Sequence, residues 1–281
     1  MLGRLAKLRD LNQRWLYLAM VAALVVPLAV SIPMPRVTAW PATRGVYRQV
    51  ESCPPDKVVW IDSSWDMGSR AECEAQLACV VRHLCRRRIR FVVTCLGTVF
   101  SPDFATKVIE PIASQAGYVY GRDWVNLGYI QAQAGRAVVI DGLCRDFHEM
   151  RPADVYGTPV AKLPLMQRVR SIRDIHMVYI VDYTPDPAWI SFVKGQHGTP
   201  VAFGCMSIMA PLYCTYIQSG QLCGMLIGNR GAADYEALLD RPGPGTRLLA
   251  PASLGNVVII LAAVLGNVGA WAALRSRRKA P

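Results

Sequence analysis

Two uncharged, largely apolar runs limit what this chain can be: residues 16–33 (LYLAMVAALVVPLAVSIP) and 254–274 (LGNVVIILAAVLGNVGAWAAL). Each is long enough to cross a hydrocarbon layer of ~30 Å as a helix. Backbone amides find no water inside a bilayer, so an isolated spanning segment must satisfy them internally, as a helix does. The first run also carries a small-x-small pattern, Ala29-Val30-Ser31, of the kind a signal peptidase cuts. Its length favours an uncleaved anchor.

Basic residues set the expected orientation. Arg4, Lys7, Arg9 and Arg14 precede the first run, and Arg275, Arg277, Arg278 and Lys279 follow the second. The inner flanks are poorer, with Arg36, Arg44 and Arg48 on one side and Arg241 and Arg247 on the other. The positive-inside rule then places both termini in the cytoplasm and the middle region outside. The two tails hold +3 and +4 of the net +11, which leaves +4 for the middle. The charge of the tails fits anionic lipid better than nucleic acid. The nine cysteines all fall in the middle region. Their odd number, their place in apolar patterns and the lack of any CxxC pair argue against a zinc site and for small buried hydrophobes. Such usage suits a reducing compartment and runs against the topology.

The middle region alternates strand and helix. Residues 57–62 and 90–96 read as buried strands, and the helix between them opens on an expected capping box, Ser69 with Glu72. Arg86, Arg87, Arg88 and Arg90 complement its carboxyl end. A helix follows at 104–115, shortened or kinked by Pro111, then a strand within 118–129 and a helix carrying Ile140, Leu143, Cys144 and Phe147 on one face. Later come a strand at 175–181, a helix at 186–196, a strand at 200–203 and a helix at 232–239. The fold class is therefore α/β: three layers around a mostly parallel, Rossmann-like sheet, flanked by two transmembrane helices. The predicted division is a basic tail at 1–15, a membrane helix at 16–33, an irregular linker at 34–56, the domain at 57–240, a linker at 241–253, a membrane helix at 254–274 and a basic tail at 275–281.

Residues 203–229 carry no charge, and Gly220, Gly224 and Gly228 recur every fourth position. This spacing predicts a buried helix with a smooth face for close packing on a neighbour, inside the domain or between two copies.

Several strings together resemble a family of bacterial membrane proteins that has no assigned activity: GRDWVNLGY at 121–129, GTP at 157–159, LPLM at 163–166, SGQL at 219–222 and GAADYE at 231–236. The resemblance covers roughly residues 57–270. It implies an α/β region ahead of a C-terminal membrane helix and supplies no catalytic residues. The many cysteines depart from the family's pattern.

Ligands of open parallel sheets bind beyond the carboxyl ends of the strands. That rule selects Asp62, Ser63, Ser64 and Asp66 after the first strand, Cys95 and Thr98 at the second, and Asp182 and Asp186 after the later one. The same residue types also cap helices and end strands. No GxGxxG, Walker A, GxSxG or HExxH motif names a cofactor. The four histidines are isolated, and His83, in a basic helix end, is expected to be solvated. The function expected is a ligand-sensing or scaffolding subunit of a membrane assembly. Its partners would be the bilayer and other membrane proteins or a second copy, with no nucleic acid. The alternative is a metal-assisted hydrolase or transferase using Asp62, Asp66 and Asp182. Carboxylates converging in one pocket would favour that alternative.

Overall fold

The structure, a computed structural model, describes residues 13–30, 39–133 and 135–277. It divides into two units, Met1–Pro35 with Arg247–Pro281, and Arg36–Thr246. The first holds α1 (Gln13–Val30) and most of a long helix, α9 (Pro244–Arg277). Two helical stretches, Gln13–Val30 and Pro244–Ala272, are long and apolar enough to cross a membrane. The basic residues at 4–9, residues 31–33 of the first apolar run, and residues 278–281 lie outside the described residues.

The second unit is an α/β fold around six parallel strands, β1 (Val58–Ser63), β2 (Phe91–Cys95), β3 (Trp124–Tyr129), β4 (Ile175–Val181), β5 (Val201–Cys205) and β6 (Gly224–Ile227). Their order is β3-β2-β1-β4-β5-β6, with every pair parallel. This is the doubly wound order whose direction reverses between β1 and β4, where such sheets open a crevice. All six residues of β1 are buried, as a strand covered on both faces requires. One face packs on α5 (Arg136–Arg145), α6 (Phe147–Met150) and a π-wound turn at Ile190–Gly195. There Trp60 meets the rings of Phe147 and Trp189 edge-on at 4.9 and 5.0 Å. The other face packs on α2 (Pro41–Glu51), α3 (Arg70–Arg86), α4 (Ser101–Gln115) and α8 (Gly228–Leu238).

The elements differ from expectation in several places. The supposed linker contains α2, with Pro41 in its first turn and Val46 and Val50 buried one turn apart. Gly45 lets α2 approach the Cys223 carbonyl, where a Cβ would overlap it. The expected second linker, 241–253, is helical from Pro244, where α9 begins. Pro111 lies inside α4 without ending it. Third, the capping box does not form. Ser69 bonds back to Asp66, while the Glu72 carboxylate accepts from the Ser207 amide and hydroxyl at 2.7 and 2.9 Å.

The glycine stripe is not one helix. Residues 201–205 continue the sheet as β5, a 3-10 turn (Ser207–Tyr213) leads into the short helix α7 (Cys214–Gln218), and Gly224 opens β6. Gly220 follows α7 in the left-handed region at φ 73°, the usual stop for a helix. Gly224 is the one of the three that meets backbone, because a Cβ there would overlap Val46 N and the Ala42 carbonyl on α2. Gly228 starts α8 at φ 53° against Ser207 and Glu72. A four-residue spacing fits a helix only when pairing to neighbouring strands does not compete, and here β5 and β6 pair in register from Ala202–Gly224 to Cys205–Ile227.

His83 is fully buried. Its ring bonds the Tyr235 hydroxyl through Nδ1 and the Glu51 carboxylate through Nε2, both at 2.7 Å, and stacks on Tyr47. Burial lowers its pKa to about 4, against the pull of Glu51. This chain ties α2 and α8 to α3. The two ends of the unit are fixed to α8 as well. Asp234 accepts from the Trp40 amide, and buried Glu236 accepts from the amides of Gly243, Gly245 and Thr246 and from the Thr246 hydroxyl.

Candidate functional site

The carboxyl ends of β1, β2 and β4 gather three of the expected residues into one network. Asp62 closes β1 beside Thr94 of β2. Its carboxylate accepts from the Thr94 hydroxyl at 2.9 Å and the Ser64 hydroxyl at 2.5 Å. Thr94 in turn accepts from the Trp60 indole, and Ser64 from the Leu96 amide, each at 2.8 Å. Asp62 is only 1% exposed. Burial pushes its pKa up to about 7, with the two hydroxyls opposing and Asp182 adding to the rise.

Asp182 follows β4 and accepts from the Arg136 guanidinium at 3.1 Å and the Tyr183 amide at 2.7 Å. Burial raises its pKa to about 6, and Arg136 holds it down. Arg136 sits in the first turn of α5, where a positive charge opposes the helix dipole. The Asp182 carboxylate offsets that cost and aims the guanidinium along the strand ends.

The remaining expected residues are placed apart from this network. Asp66 holds the Ser69 amide and hydroxyl, which keeps its carboxyl below the usual range. Asp186 caps the following turn through the Ala188 amide. Thr98 donates its amide to Ser101. Cys95 is wholly buried and its thiol is pushed far up, so no thiolate nucleophile is available there. Ser63 points into the opposite layer, and its hydroxyl is buried without a protein partner.

Beside the Arg136–Asp182 pair lies a cleft of about 570 Å³, lined by Arg136, Thr184, Asp186, Leu212, Tyr213 and Tyr216. Such a volume is within the usual range for small-molecule sites. The Tyr213 hydroxyl donates to the Pro185 carbonyl and meets Thr184 Oγ1, both at 2.8 Å, which fixes the cleft wall. Sequence reasoning missed Thr94, Arg136, Thr184 and Tyr213. A basic residue in a helix's first turn was the one local signal, for Arg136. Tyr213 was hidden inside the supposed glycine helix.

A second cleft, of about 520 Å³, lies at the opposite edge among Arg88, Arg90, Arg122 and Arg168. There Arg88 and Arg90 donate to the Ala116 and Pro55 carbonyls, and Arg122 pairs with Asp123. Arg88, Arg90 and Arg122 are thereby tied to the loops around them.

The three acids of the alternative reading feel one another, Asp182 raising the pKa of Asp62 and Asp66 that of Asp182. Among the described residues no three His, Cys, Asp or Glu side chains form a metal-binding group. Asp62 and Asp66 are engaged by hydroxyls, and Asp182 by a guanidinium. No protein family, curated protein or solved structure matches the chain.

Proposed function

We propose that this chain is a bacterial inner-membrane protein whose two apolar helices span the bilayer and hold a Rossmann-like domain that binds a small polar ligand. It would serve as a ligand-sensing or scaffolding subunit of a membrane assembly. The bilayer and other membrane proteins, or a second copy, would be its partners. The observation that carries the reading is the cleft at the carboxyl edge, where the Arg136–Asp182 pair, the Thr184 and Tyr213 hydroxyls and the Asp186 carboxylate line one concave wall with hydrogen-bonding groups. Acids consumed by their own neighbours suit a rigid binding wall better than metal-assisted hydrolysis. Both termini are proposed to face the cytoplasm, on the charge asymmetry of the flanks.

Native mass spectrometry of the full chain, released from bacterial membranes in mild detergent, tests the cleft. Wild type should retain a small-molecule mass that folded Arg136→Gln lacks. Identical masses on both proteins would overturn it.

A further inference from the structure

We propose that the carboxyl edge of the sheet lies on the lipid surface, so that the cleft opens at the headgroup layer. The inference rests on the membrane attachment proposed above. Among the described residues of 36–246, ten large hydrophobic side chains are at least 40% exposed, and seven stand on the segments that follow strand ends. Met67 follows β1, Phe100 follows β2, Val138 follows β3, and Ile208 and Leu212 follow β5, at 57 to 74% exposure. Val119, ahead of β3, and Tyr156, packed on Tyr120, stand elsewhere. Isolated exposed apolar residues are ordinary, but a set confined to one edge marks an interaction surface.

The occupant is identified by where the chain arrives. Trp40 is 51% exposed and shares a small cavity with Ser207 and Ile227, at the carboxyl ends of β5 and β6. It is therefore an eighth member of the same edge. The ten-residue step from Val30, the last residue of α1, reaches at most about 35 Å even when fully extended. A chain coming from a membrane-bound α1 would therefore meet the domain first at this edge, where Asp234 holds the Trp40 amide. Trp is the side chain best suited to the headgroup boundary, with an apolar ring and a polar N–H. Phe, Met, Ile and Leu on projecting loops suit shallow insertion below it. A cleft opening there would take its ligand from the membrane: an amphiphile whose polar head meets Arg136 and Thr184 while its tail stays in lipid.

The test uses the full chain in vesicles of phosphatidylcholine and phosphatidylglycerol containing a phospholipid with a photoreactive diazirine near the headgroup. Peptides holding Phe100 and Ile208–Leu212 should carry about fivefold more lipid adducts than the peptide holding Val119. Phe100→Ser with Ile208→Ser and Leu212→Ser should lose those adducts and keep the ones on the two apolar helices. Ile208→Ser alone should lose its own. Adducts confined to the apolar helices would overturn the proposal. If alkaline carbonate releases the chain and neither apolar helix is labelled, the membrane reading itself fails, and the proposal with it.

Discussion

The two edges of the sheet are built for different work. At the amino edge polar groups are spent on the fold: Arg88 and Arg90 hold backbone carbonyls, and Glu51 holds His83. At the carboxyl edge two carboxylates are buried at a cost, Asp62 and Asp182, and Arg136 stands against its own helix dipole. Large apolar side chains project from the same edge. Groups that lower stability and recur at one place are the usual mark of a site, whereas groups that satisfy their neighbours mark a scaffold.

The largest effect should come where the edge strand β6 meets α2. Gly224→Leu would drive a side chain into the Val46 backbone and should cost more than about 3 kcal/mol, read as loss of folded protein in thermal unfolding. Gly220→Leu, in open space at φ 73°, should cost only about 1–2 kcal/mol. Equal losses at the two would erase the packing distinction between them.

Glu236→Ala should come next. It leaves three backbone amides and a hydroxyl without their buried acceptor, at about 2–4 kcal/mol. Chemical denaturation of the detergent-solubilised chain would measure it. An unchanged midpoint would mean that the exit from the domain is not fixed on α8.

The acids sharpen the comparison through pH. Asp62 and Asp182 have folded pKa values raised to about 7 and about 6, above the ordinary 3.8. Between these values the folded state binds more protons than the unfolded one, so stability should fall as pH rises from 4 to 7. Asp62→Asn removes the larger part. Its stability should vary less with pH and exceed wild type at pH 8 by on the order of 2 kcal/mol. Parallel pH profiles for the two proteins would contradict this. Smallest of all, Arg168→Gln on the exposed amino edge should stay within about 0.5 kcal/mol of wild type by the same denaturation measurement.

Much of the sheet was legible before the structure. Residues 57–62, 90–96 and 175–181 are continuous apolar runs, and strands buried on both faces have few other ways to look. Asp62 and Asp182 could be selected because they end such runs. Helix α2 could not be read, since Pro41 and Gly45 imitate a linker until the surface of β6 is there to receive Val46 and Val50. The glycine stretch misled for a related reason. Periodicity records a helix only when no strand partner competes, and Gly224 pairs with Ala202. Arg136 reached the site from the helix after β3, through a contact with Asp182 that spans 46 residues. No local pattern encodes such a contact.

Amide hydrogen exchange of the full chain, compared between lipid vesicles and detergent micelles, tests the difference between the edges most directly. Peptides spanning 97–104, 182–187 and 206–216 should exchange about tenfold more slowly in vesicles, while 88–90, 117–123 and 164–168 should be unchanged. Slowing at the arginine-rich amino edge, with the carboxyl edge unaffected, would contradict the account.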